Sequence, residues 1–431
     1  MNWKECYAKK ICTAKEAVSH IHSGDRVIVA HACSEPGELI EALTGCAEEY
    51  DYRDVEIVHM VAMGDAPYCA PEFEHRFRHN AIFVGHATKD AVAERRADFT
   101  PVFFSEVPDL VRNELRGDVA LLQLGAPDEH GYCSFGLSCD YTKPAAEAAK
   151  MRIAQINANV PRVLGDNFIH VDKLDYIVVK DSPLIQLKPP KIGSVQKKIG
   201  ENIASLVRDG DCLQLGIGAI PDAVLLFLKE KKDLGIHTEM FSDGVVELIE
   251  SGVITNQCKQ IDRGICVASF LMGTDKLYKF VDNNPSVRMM PVDYVNDPRV
   301  ICQNDNVVSI NSCVEVDLMG QVCSEAVGLR QISGVGGQVD FVRGARMSRG
   351  GRTIIAMPST AAAGTISKIV PFLTHGAPVT TSRNDVDYIV TEYGIAKLHG
   401  KTLKERARQL IEIAAPDFRE WLNEEFCARL I

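Results

Sequence analysis

The stretch 210–244, GDCLQLGIGAIPDAVLLFLKEKKDLGIHTEMFSDG, constrains the fold more than any other part of this chain. A short apolar run is followed by the glycine turn Gly216-Ile217-Gly218 and by an amphipathic run opening on Pro221, a residue suited to a first helical turn. A second apolar run then ends in Glu239, and a polar loop follows. The order strand, turn, helix, strand predicts a βαβ unit and hence a parallel open sheet. Ligands of such sheets bind at the carboxyl ends of the strands, where the turn and Glu239 both fall. A carboxylate beside backbone N–H groups and a helix N-terminus suits chemistry in which negative charge develops on oxygen.

Strand–helix alternation continues through the chain. Strands are predicted at 24–30, 55–60, 81–84, 118–124, 176–179, 211–215, 307–311 and 353–357, and helices at 36–43 and 145–156. The halves resemble each other. Gly24-Asp25, a strand, Pro36 and Leu39-Ile40 precede Val55-Glu56-Ile57-Val58-His59; Gly210-Asp211, a strand, Pro221 and Val224-Leu225 precede Gly235-Ile236-His237-Thr238-Glu239. At 431 residues the chain exceeds one typical core. The proline-rich segment Ser182-Pro183-Leu184-Ile185-Gln186-Leu187-Lys188-Pro189-Pro190-Lys191 is the natural linker. The expected fold is therefore α/β, with two related open-sheet domains, 1–187 and 188–431, and a ligand cleft between them.

A net charge of −11 argues against a nucleic-acid or anionic-membrane surface. No apolar run reaches membrane-spanning length, and charges scattered through the first 20 residues leave no signal-peptide core. The 14 cysteines include no C-x-x-C, and Cys212, Cys266, Cys302, Cys313 and Cys323 sit in apolar runs. Buried thiols of a reducing cytoplasm are expected, with no metal site.

Several motifs keep two readings on residues alone. Gly216-Ile217-Gly218-Ala219-Ile220-Pro221 partly matches the dinucleotide fingerprint, with Glu239 near the spacing of its ribose-binding acid, but lacks the third glycine; this weakens a nicotinamide dehydrogenase. Glu239 is a structural acid or a reactive group, while Asp243-Gly244 is the better turn and cap candidate. Gly334-Val335-Gly336-Gly337 lets backbone approach a ligand, and Gln338-Val339-Asp340-Phe341 begins a helix. Arg343, Arg346, Arg349 and Arg352 form a solvated face or meet phosphates. His75-Arg76-Phe77-Arg78-His79 reads as a surface helix, and Asp128-Glu129-His130-Gly131-Tyr132 as a pocket wall or a polar loop. The absence of a G-x-S-x-G elbow and a P-loop lowers serine hydrolase and NTPase readings.

Taken together, these segments resemble the acetyl-CoA hydrolase/transferase family along the whole chain. The resemblance rests on Gly216 to Pro221, on His237-Thr238-Glu239-Met240-Phe241-Ser242-Asp243-Gly244, and on Asn311-Ser312-Cys313-Val314-Glu315-Val316-Asp317-Leu318-Met319-Gly320-Gln321. Gly336-Gly337-Gln338-Val339-Asp340-Phe341, Ala126-Pro127 with the turn after it, and Met357-Pro358-Ser359-Thr360-Ala361-Ala362 add to it. It implies two CoA-transferase-type α/β domains, an active site at the domain interface, and a homodimer. It further implies that Glu239 is the covalent nucleophile, that Gly216, Ile217, Gly218, Ala219 and Ile220 contact CoA, and that Gly334, Gly336 and Gly337 approach the thioester. Asn296, in Tyr294-Val295-Asn296-Asp297-Pro298, resembles a position near the substrate carboxylate. Pro358-Ser359 departs from the family members that carry a lysine near CoA, which leaves the arginines after Phe341 as substitutes.

The implied activity moves CoA between a short-chain acyl-CoA, 4-hydroxybutyryl-CoA or butyryl-CoA, and acetate. A glutamyl-CoA thioester and ping-pong kinetics go with it, with CoA as co-substrate and no permanently bound cofactor. An acyl-CoA hydrolase on the same fold and a non-catalytic acyl-CoA sensor are the rival readings.

Overall fold

The computed structural model describes residues 2–428. The chain divides into two compact units, one holding the chain up to Leu187 with Val267–Val295, the other Lys188–Cys266 with the chain from Asn296 on. Residues 181–193 have no regular structure, as the prolines require. A single cut at 187/188 therefore puts Val267–Val295 on the wrong side. That segment is tied to the first unit by the bridges Ser138↔Phe270 and Gly165↔Met289, and by the Tyr278 hydroxyl donating to the Ile185 carbonyl at 2.6 Å.

The first unit is built on β1 (Arg26–Val29), β2 (Val55–His59), β3 (Phe77–Ala81), β4 (Ala97–Phe99), β5 (Val119–Leu124), β6 (Met151–Ile156) and β7 (Tyr176–Val179). They form one sheet in the order β4-β3-β2-β1-β5-β6-β7, parallel throughout. Helix α1 (Gly37–Gly45) buries Leu39, Ile40 and Leu43 in a core with Val27, Ile57 and Leu121. Fully burying one such side chain contributes about 1.5–3 kcal/mol.

The second unit holds β8 (Cys212–Leu215), β9 (Gly235–Ile236), β10 (Val307–Ser312), β11 (Arg352–Ala356), β12 (Tyr388–Thr391) and β13 (Gly394–Lys397). Their order is β9-β8-β10-β11-β12-β13, parallel except for β13. Cys313, Val316, Ile355, Met357, Ile389 and Leu410 make its core.

The halves repeat one another in topology and in individual hydrogen bonds. The Gly24 N–H donates to Arg53 O at 3.0 Å and the Gly210 N–H to Lys232 O at 2.9 Å. Glu56 N–H donates to Asp25 O, and Gly235 N–H to Asp211 O, both at 2.9 Å. Each aspartate also accepts the N–H three residues before it, from His22 and from Arg208. Glu56 thus corresponds to Gly235, one residue off the pairing of Val55 with Gly235 that the written sequences suggest. A one-residue slip exchanges the two faces of a strand, so the difference matters. It places Met60, not His59, at the position of Glu239, and Ala32 (φ 53°) at the position of Gly218 (φ 110°). The first unit thus carries a thioether where the second carries a carboxylate.

Two predicted elements are corrected. The strand expected at 81–84 is Phe77–Ala81, which also removes the surface helix read at 75–79. His79 and Asn80 are buried there because they find partners: His79 Nδ1 lies 2.9 Å from Ile57 O, and Asn80 Nδ2 donates to Glu56 Oε1 at 2.8 Å. The helix expected at 145–156 is a short helix, Thr142–Ala148, followed by β6. Ala149 is extended (φ −62°, ψ 147°) and ends the helix, and Ile153 then buries between β5 and β7. Among the described residues no helix is long and apolar enough to cross a membrane.

Candidate active site

The glycine turn and Glu239 stand side by side because β8 and β9 are neighbouring parallel strands. Leu213 pairs with Ile236, and the His237 N–H extends the ladder to Leu213 O at 3.2 Å. Thr238 then straps the strand ends together. Its buried hydroxyl lies 3.0 Å from the Leu215 and Met240 carbonyls and accepts the Leu215 N–H at 3.2 Å. Glu239 is the next residue, half-buried in a bend beyond the strand end. A short strap of this kind fixes the backbone from which the Glu239 carboxylate projects.

The turn itself is open. Helix α2 (Ala219–Phe227) begins after Gly218 with no side-chain cap on its first N–H groups. Ile217 is exposed, and a Cβ built on Gly218 would meet nothing within 4 Å. Gly218 needs its glycine for conformation, since φ 110° lies where L side chains rarely go. Beside the turn, Gln214 Oε1 accepts from Ser309 Oγ at 2.8 Å and from Asn311 Nδ2 at 3.1 Å, a polar network across β8 and β10.

Helix α3 (Gln338–Met347) begins after the second glycine cluster, with Gly336 at φ 53°. Gly337 has an ordinary backbone conformation (φ −90°, ψ 3°), so its requirement is space. A Cβ there would overlap Glu239 Oε2 and Asn296 Nδ2. Asn296, fully buried, donates from Nδ2 to Glu239 Oε2 at 2.8 Å. The second unit thus brings Glu239, Asn296 and Gly337 together around one carboxylate. In this structure the Asn296 amide serves Glu239 itself.

Both halves of the chain match models of one family. The acetyl-CoA hydrolase/transferase N-terminal domain matches residues 1–187, and the acetyl-CoA hydrolase/transferase C-terminal domain matches residues 273–426. The chain belongs to the acetyl-CoA hydrolase/transferase family. It is 61% identical over 430 residues to the 4-hydroxybutyrate coenzyme A transferase of Clostridium kluyveri, covering 100% of both chains. The crystal structure of a 4-hydroxybutyrate CoA-transferase from Porphyromonas gingivalis superposes with a TM-score of 0.86 at 44% identity, covering 99% of this chain and 100% of that one. RipA from Yersinia pestis gives a TM-score of 0.95 at 40% identity, covering 99% and 98%. The protein is an enzyme of the CoA-transferase type, and coenzyme A is its co-substrate.

The other candidates take their places around this family frame. Arg352 is buried and pairs with Asp211, so it is withdrawn from phosphates. Arg349 pairs with Asp305, Arg346 Nη2 lies 3.3 Å from His399 Nε2, and Arg343 Nε lies 3.8 Å from Asp385. Asp128 holds its own turn, accepting the N–H groups of His130 and Tyr132 at 2.9 Å. Burial opposes its charge, but these bonds and Arg162 outweigh it and lower its pKa. Asp243 opens a helix (Asp243–Glu250) whose N-cap is Ser242. Among the described residues no three His, Cys, Asp or Glu side chains converge as a metal site would need.

All 14 cysteines are free thiols. Cys212, Cys266, Cys313 and Cys323 are buried as predicted, whereas Cys302 is only half-buried. Burial pushes the thiols of Cys212 and Cys266 up to about 11 and those of Cys133 and Cys313 up to about 12. Thiolate is the reactive form, so these groups are inert near neutral pH. Iodoacetamide at pH 8 is expected to label exposed Cys258 and Cys427 first, with CoA-transfer activity retained. Peptide mapping of the native protein checks this; early labelling of Cys212 or Cys313 with loss of activity would contradict it.

Proposed function

We propose that this protein transfers CoA between a short-chain acyl-CoA, 4-hydroxybutyryl-CoA or butyryl-CoA, and acetate, with Glu239 as the covalent nucleophile. The Asn296–Glu239 hydrogen bond at 2.8 Å, made in the gap that Gly337 leaves, carries the reading. Glu239 attacks the thioester carbonyl, the C–S bond breaks, and a mixed acyl–glutamyl anhydride forms with CoA thiolate leaving. The thiolate attacks the glutamyl carbonyl and expels the first carboxylate, leaving a glutamyl-CoA thioester. Acetate attacks that thioester, and the returning thiolate then takes the acetyl group and restores the Glu239 carboxylate. The kinetics on this account are ping-pong.

Each step needs something the site offers. A carboxylate is a weak nucleophile and must be held in attack geometry, which Asn296 and the Thr238 strap do. The tetrahedral intermediates carry an oxyanion, for which the N–H groups of Ile217 and of Gly336 and Gly337 are the proposed donors. One such donor contributes roughly 3–4 kcal/mol to lowering the barrier. The open turn from Gly216 to Ile220 and the backbone at Gly334 are the proposed CoA contacts, and binding remote from the sulfur lowers the transition state. The protein works on this reading as a cytoplasmic homodimer with no permanently bound cofactor.

The test is an acyl-CoA panel run with and without acetate. The expected result is acetyl-CoA formation from 4-hydroxybutyryl-CoA or butyryl-CoA, with free thiol released only slowly when acetate is absent. Acetate-independent thiol release at the full rate would make the enzyme a hydrolase. Binding without turnover would make it a sensor.

A further inference from the structure

We infer that Asp340 is a positioning residue that holds the Asn296 amide in the orientation Glu239 needs; this rests on Glu239 being the nucleophile. Asn296 Nδ2 donates to Glu239 Oε2 at 2.8 Å and makes a longer contact to Asp340 Oδ2 at 3.5 Å. An NH₂ group has two hydrogens at fixed directions in one plane, so directing one toward Asp340 aims the other at Glu239. The amide has two possible flips. With Nδ2 between the carboxylates both contacts are attractive; with Oδ1 there, an acceptor would face two anions. Asp340 therefore makes the flip that serves Glu239 much the more stable one.

The cost of the arrangement is visible on the other side of the amide. Asn296 Oδ1 is buried and has no hydrogen-bond partner, a condition that costs about 1–3 kcal/mol. A side chain free to choose would turn its oxygen toward a donor; the Glu239 bond at 2.8 Å and the Asp340 contact at 3.5 Å both hold the nitrogen side in place, and of the two only Asp340 is untouched by the chemistry at Glu239. Asp340 is itself buried in the first turn of α3, where the helix dipole favours an anion. The same stretch that opens space for Glu239 at Gly337 thus also anchors its orienting amide three residues later.

The mechanism gives this a purpose. When Glu239 becomes an anhydride or a thioester its negative charge is gone, and the attraction that held the Asn296 N–H weakens. Asp340 keeps the amide in place through the uncharged intermediates, ready to meet the oxyanion at the glutamyl carbonyl.

A double-mutant cycle tests it, with pre-steady-state formation of the Glu239 adduct as the readout. Asp340→Ala and Asp340→Ser are each expected to slow adduct formation by about 10²-fold with the KM for acyl-CoA little changed. Asp340→Asn keeps an acceptor oxygen and is expected to recover most of the rate. If Asp340 acts through Asn296, Asn296→Ala/Asp340→Ala is no slower than Asn296→Ala alone. The inference is overturned if the two losses multiply, as for a merely structural acid at a helix start, or if Asp340→Ala and Asp340→Ser form the adduct at the normal rate. Should Asp340→Ala fail to fold, the cycle is run with Asp340→Ser. Failure of the underlying reading looks different: Glu239→Ala would then remain active whatever residue 340 is.

Discussion

Replacing Glu239 by alanine is expected to lower CoA transfer by about 10⁴-fold or more, the scale on which loss of a covalent nucleophile acts. Glu239→Gln should be equally inactive, because an amide keeps the size and loses the nucleophilic oxygen. Folding should be nearly untouched. Glu239 is half-buried beyond a strand end, and the ladder from Leu213 to His237 and the Thr238 strap do not use its side chain. Thermal melts of both variants within a few degrees of the parent, beside initial rates with acyl-CoA and acetate, check this. A stable but active Glu239→Ala enzyme would move the chemistry elsewhere.

The second large effect is expected from Gly337→Ala, a change of one methyl group. The backbone at Gly337 admits any L residue, so no conformational strain arises. The new Cβ would instead occupy the positions of Glu239 Oε2 and Asn296 Nδ2. Both are ends of side chains, and Glu239 can swing away. The penalty therefore falls on catalytic geometry rather than on folding, and kcat should drop by about 10²-fold. Steady-state kinetics and a melting curve on the same preparation decide it. A fully active Gly337→Ala enzyme would mean that Glu239 does not react from this position.

The parts of the fold that the sequence discloses are those whose strands are continuous apolar runs. β1, β2, β5, β7, β8, β10 and β11 lie within a residue or two of where the apolar pattern puts them, because strands of a parallel sheet are buried on both faces. β3 escapes that pattern. Its Arg78, His79 and Asn80 look solvent-facing, yet His79 and Asn80 are buried against partners on β2, while half-buried Arg78 pairs with Asp98 of β4. β6 is hidden differently: the alanines before it favour a helix, and the break at Ala149 shows only in backbone angles.

At the site, Glu239 and both glycine turns can be picked out from residue type and position. Their convergence cannot, since Glu239, Asn296 and Gly337 come from three separate segments joined only by the fold. Asp340 belongs to a motif visible in the sequence, yet its role depends on which way one amide is turned. The register that matches Met60 to Glu239 is likewise invisible without hydrogen bonds, because the two halves can be written one residue out of step and look equally alike.

The most direct test of the account is to incubate the protein with 4-hydroxybutyryl-CoA or butyryl-CoA in the absence of any acceptor, digest it with trypsin, and fragment the peptide spanning Glu239 by mass spectrometry. The account predicts a CoA adduct localised to Glu239, lost on addition of acetate and absent from Glu239→Gln. An unmodified Glu239 in a protein that turns over normally, or the adduct on Cys258 of the same peptide or on another residue, would contradict it.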